Sequence, residues 1–182
     1  IELYDPLEHQ SLRYRYGNLD LRLVGLASGC ATKSFAGYFD QARRDGEEML
    51  AIARDSGNPY LLAQALLQNA WTHLVRRQYV ESTRYRLGVM HLAKEHHFHL
   101  LLSQASMGDG NELIAEGQAE AGMALLLQAL AEVRSYGHTL GKSHYSTYLV
   151  DGYMALGQFQ KGIEVIDEAL AVVHQSGEHW FD

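Results

Sequence analysis

A residue suited to ending a helix recurs in this chain at intervals of 40 residues, and this regularity constrains the fold more than any other feature of the sequence. Most of the recurring residues are glycines, and they follow segments rich in apolar residues. The two series of positions are Gly17, Gly57, His97, Gly137 and Gly177, and Gly37, Arg77, Gly117 and Gly157. A fixed interval of this length predicts a chain of repeated structural units.

The segments between these positions have the apolar spacing of helices. The stretches "EEMLAIARDSG", "LQALAEVRSYG" and "DEALAVVHQSG" repeat apolar residues at helical intervals and end on glycine. Glycine accepts the left-handed conformation that follows the last turn of a helix, so it predicts a helix end. Upstream stretches such as "YLLAQALLQNAWTHLV" have the same periodicity. We therefore predict helix pairs at about 18–57, 58–97, 98–137 and 138–177, with 1–17 and 178–182 belonging to flanking units.

The composition narrows the class of protein. A chain of 182 residues, 47% of them hydrophobic, can bury the core of one globular domain. Its formal net charge of −7 disfavours nucleic acid as a partner, because nucleic acid is itself negatively charged. The single cysteine, Cys30, indicates a reducing compartment, and no apolar run is long enough to cross a membrane. We therefore expect a cytoplasmic protein with neither nucleic-acid nor membrane partners.

No familiar arrangement of catalytic residues can be assembled from the sequence. A Ser-His-Asp pattern, a His-Glu-x-x-His helix and a convincing acid pair are all missing, so we predict no catalytic residue, no cofactor and no enzyme. The run "KEHHFH" gathers His96, His97 and His99, and imidazole is a common zinc ligand. Carboxylates and cysteines at ligand spacing are lacking, so we expect no physiological metal site there.

The stretch "SQASMGDGNELIAEGQ", residues 103–118, poses a choice between a phosphate-binding loop and a helix. It lacks the lysine and the preceding strand that a phosphate loop requires. The repeat register instead predicts that it lies on the first helix of its pair. Gly110 shares its register position with Cys30, Ala70 and Val150, which are mostly small residues. We therefore predict that Gly110 marks a close approach of two helices.

The last unit carries the motif residues of a known repeat. In "YMALGQFQKGIEVIDEALAV" the spacing of Gly157, Phe159, Gly162, Ile166 and Ala169 resembles a tetratricopeptide repeat (TPR). The third unit matches the same positions with Gly117, Ala119, Gly122, Leu126 and Ala129. This resemblance implies an all-α fold, a right-handed α–α solenoid of TPR-like helix pairs. The unit of 40 residues exceeds the TPR length of about 34, so a HEAT-like stack of helix pairs is the alternative.

The resemblance also implies where a partner binds. In stacked helix pairs the concave surface is lined mainly by the first helix of each pair. The family's groove positions fall on Gln64, Gln104 and His144, on Trp71, Asn111 and Asp151, and on Leu74, Ile114 and Met154. A column of an indole, an amide and a carboxylate suits hydrogen bonding to an extended peptide or a polar small molecule. The alternative interpretation is that these residues are simply tolerated on a solvated helix surface.

A second candidate surface is the locally basic run "RRQYVESTRYR". It interleaves arginine with tyrosine, a combination suited to an acidic partner or to RNA, and the negative net charge of the chain disfavours RNA. Its basic residues are Arg76, Arg77, Arg84 and Arg86, and its tyrosines are Tyr79 and Tyr85. The alternative is that the arginines only solvate an outer helix.

A wider resemblance covers most of the chain. The phrases "LYDPLEHQSLRYRYG", "GYFDQARRDGEEMLAIARDSGNPYLLAQAL" and "EGQAEAGMALLLQAL" resemble the carboxy-terminal TPR region of bacterial multidomain signalling proteins. Those proteins join a STAND-type ATPase to an adenylate or guanylate cyclase domain, or to a DNA-binding activator domain. The resemblance implies a regulatory domain in signal transduction, which receives an effector and biases the output domains.

The chain begins at Ile1 and ends on "GEHWFD", and we interpret it as a piece of a larger protein. The expected partners are a protein, peptide or small-molecule effector and the other domains of the parent chain. A second copy is a further expected partner, through exposed solenoid ends that include Trp180 and Phe181. The alternative function is a stand-alone adaptor for protein–protein interaction, with no signalling output.

Overall fold

The computed structural model describes Asp5, residues 21–137 and residues 142–176. All the regular structure in these ranges is α-helical, and no strand occurs within them. The described helices are α1 (Leu21–Phe35), α2 (Phe39–Asp55), α3 (Pro59–Val75), α4 (Tyr79–Glu95), α5 (His99–Ala115), α6 (Ala119–Ser135), α7 (Lys142–Ala155) and α8 (Phe159–Ser176). None of these helices is long and apolar enough to cross a lipid bilayer.

Consecutive helices pack against one another. Helix α1 packs on α2, α3 on α4, and α7 on α8, and further contacts join α2 to α3 and α6 to α7. The prediction of an all-helical chain with paired helices is therefore confirmed for the described ranges. The contacts divide the chain into two compact units, Ile1–Leu101 and Leu102–Asp182. The flanking segments predicted at 1–17 and 178–182 lie outside the described part of the chain, apart from Asp5.

In the first unit, an apolar core forms where α1, α2 and α3 meet. Leu26, Leu50 and Leu61 each supply a buried side chain from a different helix of this group. The start of α3 is set locally, because the Asn58 side chain accepts hydrogen bonds from the backbone N–H groups of Tyr60 and Leu61. Pro59 follows in the first turn, where its missing N–H is not needed. The cap therefore fixes the residue at which α3 begins.

Polar side chains also pack inside the first unit, and those of Asn69 and Cys30 form hydrogen bonds there. Asn69 Nδ2 donates to the carbonyl oxygens of Gly46, at 3.0 Å, and Ala65, at 2.8 Å. A Cβ on residue 46 would collide with the Asn69 side chain, so the glycine and the asparagine depend on each other. Cys30 Sγ lies 3.0 Å from Thr72 Oγ1, and burial raises the pKa of the Cys30 thiol. These bonds satisfy groups that would be costly to bury alone.

The predicted helix ends are confirmed by the backbone. Gly117, which follows α5, has a φ of 84°, and Gln118 N–H donates to the Leu113 carbonyl at 2.8 Å, the hydrogen bond that closes a Schellman turn. The described positions with positive φ are Gly37, Gly57, Arg77, His97, Gly117, Gly137 and Gly157. These are all the described members of the two recurring series, and Gly17 and Gly177 lie outside the described ranges.

Two of these turns are made by residues with a side chain. Arg77 has a φ of 56° and His97 a φ of 58°. A side chain in the left-handed region crowds its own carbonyl, at a cost of roughly 1–2 kcal/mol. The left-handed turn therefore forms at two positions where the side chain of the residue disfavours it.

The glycine-containing stretch of residues 103–118 is helical as far as Ala115, which confirms the helix and rules out a phosphate loop at this position. A Cβ on Gly110 would lie 2.9 Å from the Gly122 carbonyl oxygen of α6. A Cβ on Gly122 would lie 2.5 Å from the Gly110 carbonyl oxygen. The backbones of α5 and α6 therefore meet at these two glycines, and the predicted packing role of Gly110 is confirmed.

The turn strain generates a stability prediction. We expect His97→Gly to raise the free energy of unfolding by about 0.5–1 kcal/mol, because glycine adopts the positive φ without a steric cost. Urea denaturation followed by circular dichroism measures the change. His96→Gly is the matched control, since His96 has a φ of −107° and glycine brings it no relief. A His97→Gly protein no more stable than wild type would contradict the prediction.

The contact between α5 and α6 generates a second prediction. We expect Gly110→Ala to lower the free energy of unfolding by about 1–3 kcal/mol, because the new methyl group meets backbone atoms that cannot move aside. Gly88→Ala is the control with the same gain in helix propensity. Its Cβ would lie 3.1 Å from Leu66 Cδ1, the movable end of a side chain, so we expect little loss of stability. Equal losses in both variants, measured by urea denaturation, would refute the close approach.

Candidate functional site

In the first unit, the candidate groove residues lie on α3. Gln64 and Trp71 are seven residues apart, which is two helical turns, so they share one face of the helix. Both side chains are partly buried. The Trp71 ring meets Phe35 of α1 edge to face, with centroids 5.2 Å apart. The third candidate, Leu74, is buried at 6% exposure and contributes to the interior.

In the second unit, the candidates divide into buried and accessible groups. Asn111 and Ile114 of α5 are buried. Ile114 occupies space left by two glycines, because a Cβ on Gly122 would lie 2.7 Å from Ile114 Cγ1 and a Cβ on Gly152 would lie 3.0 Å from its Cδ1. Asp151 of α7 is exposed. Met154 is 57% exposed, near the end of the same helix.

A histidine–tyrosine cluster forms around the remaining two candidates, His144 and Gln104. His144 Nε2 lies 2.7 Å from Tyr148 Oη, and the two rings meet edge to face. Gln104 Nε2 donates to Tyr145 Oη at 3.4 Å. Burial lowers the pKa of His144 to about 4, so the imidazole is neutral at physiological pH, and burial raises the pKa of the Tyr145 hydroxyl. The two tyrosines were not predicted from the sequence, although Tyr148 follows His144 by four residues, about one helical turn.

The structure therefore separates the nine candidates by accessibility. Leu74, Asn111, Ile114 and His144 are buried and pack inside the fold. The partly or fully accessible side chains are Gln64, Trp71, Gln104, Asp151 and Met154. Amides, an indole, a carboxylate and a thioether can hydrogen-bond a polar ligand and stack on its flat or apolar parts.

The basic run does not form one continuous exposed surface. Arg86 is only 2% exposed, and its guanidinium donates to Ser82 Oγ at 2.9 Å and to Thr83 Oγ1 at 3.0 Å. The Arg76 guanidinium lies 4.7 Å from the centre of the Phe39 ring. Arg84 lies 5.1 Å from the centre of the Tyr85 ring, a cation–π contact within its own helix. Arg86 is therefore not part of the proposed partner surface.

The histidine run lies at the turn between α4 and α5. His96 stacks on Phe98 with centroids 5.5 Å apart, and Phe98 in turn meets Tyr60 edge to face at 5.1 Å. The rings of His97 and His99 are 6.2 Å apart. Within the described ranges, no group of three or more histidine, cysteine or acidic residues is arranged to hold a metal ion.

Comparison of the chain with protein-family models, with curated proteins and with solved structures finds no match. The resemblance to tetratricopeptide repeats therefore depends on the motif residues of this sequence. The helix ends and the glycine contact described above are observations on this chain alone.

The buried imidazole generates a pH prediction. In the unfolded chain His144 binds a proton below its ordinary pKa of 6.5, whereas the folded protein binds it only near pH 4. Its contribution to stability is therefore complete above pH 6.5 and is lost as the pH falls from 6.5 towards 4. Between pH 7.5 and pH 4.5 we expect a loss of roughly 2–3 kcal/mol, measured as the difference between wild type and His144→Gln in urea denaturation.

His174→Gln is the matched control for this measurement. His174 is a histidine with an exposed side chain, on α8. We expect His174→Gln to keep the wild-type dependence of stability on pH. If His144→Gln also keeps it, the buried imidazole is not the group that responds.

Proposed function

We propose that this chain is a non-catalytic interaction and sensor domain of a bacterial signalling protein, built as a right-handed α–α solenoid of TPR-like helix pairs. The paired helices support this architecture. So do the second helices of the pairs, which begin at residues 39, 79, 119 and 159, at intervals of 40 residues. The motif residues of the last two units favour the tetratricopeptide type over the HEAT-like alternative.

The observation that carries the proposal is the accessible polar and aromatic face of α3. Gln64 and Trp71 lie on this face, and Phe35 braces the indole from the side. An aromatic ring held by its neighbour loses little freedom when a ligand stacks on it, and the amide two turns away adds hydrogen-bonding groups. A protein segment, a peptide or a polar small molecule fits this chemistry.

The signalling role follows from the resemblance to STAND-type proteins. An effector that binds one arrangement of a multidomain protein more tightly than another shifts the population towards that arrangement. The partners of this domain are then the effector, the neighbouring domains of the parent chain and a second copy of the chain. In the cytoplasm, the effector-bound domain then regulates a cyclase or a DNA-binding output domain of the parent protein.

A ligand screen tests the proposal. We expect a member of a panel of short synthetic peptides and polar metabolites to raise the melting temperature of the 182-residue chain, because a ligand of the native state stabilises it. We expect Trp71→Ala to lower the affinity for that ligand by roughly tenfold or more, because the aromatic contact is lost. Differential scanning fluorimetry and isothermal titration calorimetry measure the two effects.

Tyr38→Ala is the matched control, since Tyr38 is an exposed aromatic residue, 59% accessible, at a turn of the same unit. We expect it to leave the affinity unchanged. An unchanged affinity in Trp71→Ala would place the site elsewhere. Stabilisation by macromolecules alone would favour the adaptor function over the sensor function.

A further inference from the structure

The turn between α4 and α5 carries a pair of histidine side chains that the proposed function does not use. His97 and His99 are both exposed, and their ring centres lie 6.2 Å apart. An imidazole nitrogen binds Zn²⁺ at about 2.0–2.1 Å, so two rings that share one ion have centres no more than roughly 6.4 Å apart. The two rings therefore already lie within the separation that a shared metal ion allows.

Backbone hydrogen bonds fix the chain around this pair. Phe98 N–H donates to the Ala93 carbonyl at 2.9 Å, and His99 N–H donates to the His97 carbonyl at 3.0 Å. The ring of Phe98, the residue between the two histidines, stacks on His96 with centroids 5.5 Å apart. A metal ion would therefore meet two ligands whose backbone is already ordered, and little chain entropy is lost when it binds.

His97 also holds a backbone conformation that its side chain disfavours. Its φ is 58°, at a position of the recurring series that Gly57 and Gly137 occupy in other units. Strained backbone conformations are concentrated at functional positions such as ligand clamps. The strain alone does not mark a site, because Arg77 shares it. What distinguishes His97 is the second imidazole beside its own.

We propose that His97 and His99 together bind one divalent transition-metal ion of the class that prefers imidazole, such as Zn²⁺, with water in the remaining coordination positions. The sequence alone predicts no physiological metal site here, because cysteine and carboxylate ligands are lacking. Two imidazoles are sufficient for a chelate. Once one ring holds the ion, the second ring binds it within the same molecule, at a high effective concentration.

Isothermal titration calorimetry of the 182-residue chain with Zn²⁺ tests the proposal. We expect Zn²⁺ to bind with a dissociation constant in the micromolar range, and Mg²⁺, which prefers oxygen ligands, not to bind. His97→Asn and His99→Gln should each raise the dissociation constant by roughly tenfold to a hundredfold, because one imidazole alone cannot chelate the ion. Asparagine suits position 97, since it enters the left-handed region more readily than other residues with a side chain.

His96→Gln is the matched control for the loss of an imidazole. His96 is an exposed histidine of the same run, but its ring stacks on Phe98. We expect this variant to keep the wild-type affinity for Zn²⁺. His97→Gly is the control for folding, because we expect it to stabilise the chain and yet to lose the ion. In NMR spectra, Zn²⁺ should shift the imidazole resonances of His97 and His99 most strongly.

Three results would overturn the proposal. They are no binding of Zn²⁺ at millimolar concentrations, an affinity that His97→Asn and His99→Gln leave unchanged, and an affinity that His96→Gln lowers equally. The last result would show an adventitious ion only, held by the histidine run as a whole. The proposal does not rest on the proposed function. We expect Trp71→Ala to leave Zn²⁺ binding unchanged, so effector binding can fail while the metal site stands.

Discussion

The fold depends on one backbone conformation, the left-handed residue that follows each described helix end in the two recurring series. It closes a hydrogen-bonded turn and sends the chain back alongside the helix just completed. Where glycine supplies it, the conformation carries little steric strain, whereas Arg77 and His97 adopt it against their own side chains. Their persistence indicates that packing of the paired helices, and not the local preference of the residue, sets the turn.

In both units, glycines allow contacts between helices that a residue with a side chain would prevent. Gly110 and Gly122 let the backbones of α5 and α6 meet, and Gly46 leaves room for the Asn69 amide. In each case atoms of another helix occupy the space that a Cβ would take. A substitution of the glycine therefore changes stability in a way that helix propensity alone does not predict. His144 is also buried, and burial keeps its imidazole neutral because it removes the hydration of the charged ring.

The nine candidate groove positions show which properties of the site could be predicted from the sequence. The helices that carry the nine positions were predicted correctly, because glycine stops and apolar periodicity are local signals. Accessibility was not predictable, because it depends on what the neighbouring helix brings to each position. Ile114 is buried against two glycines, whereas Met154, at the same position of the next unit, is exposed. Arg86 likewise belongs to a basic run in the sequence but donates to Ser82 and Thr83 in the interior.

The sequence by itself determined the all-helical class, the helix ends marked by glycine and the close approach at Gly110. These follow from the left-handed conformation of glycine and from the 3.6-residue period, which act within a few residues of chain. Only the tertiary structure decided which side chains face solvent and which polar groups share hydrogen bonds. Those properties arise between helices distant in sequence, where shape and volume, not periodicity, select the contacts.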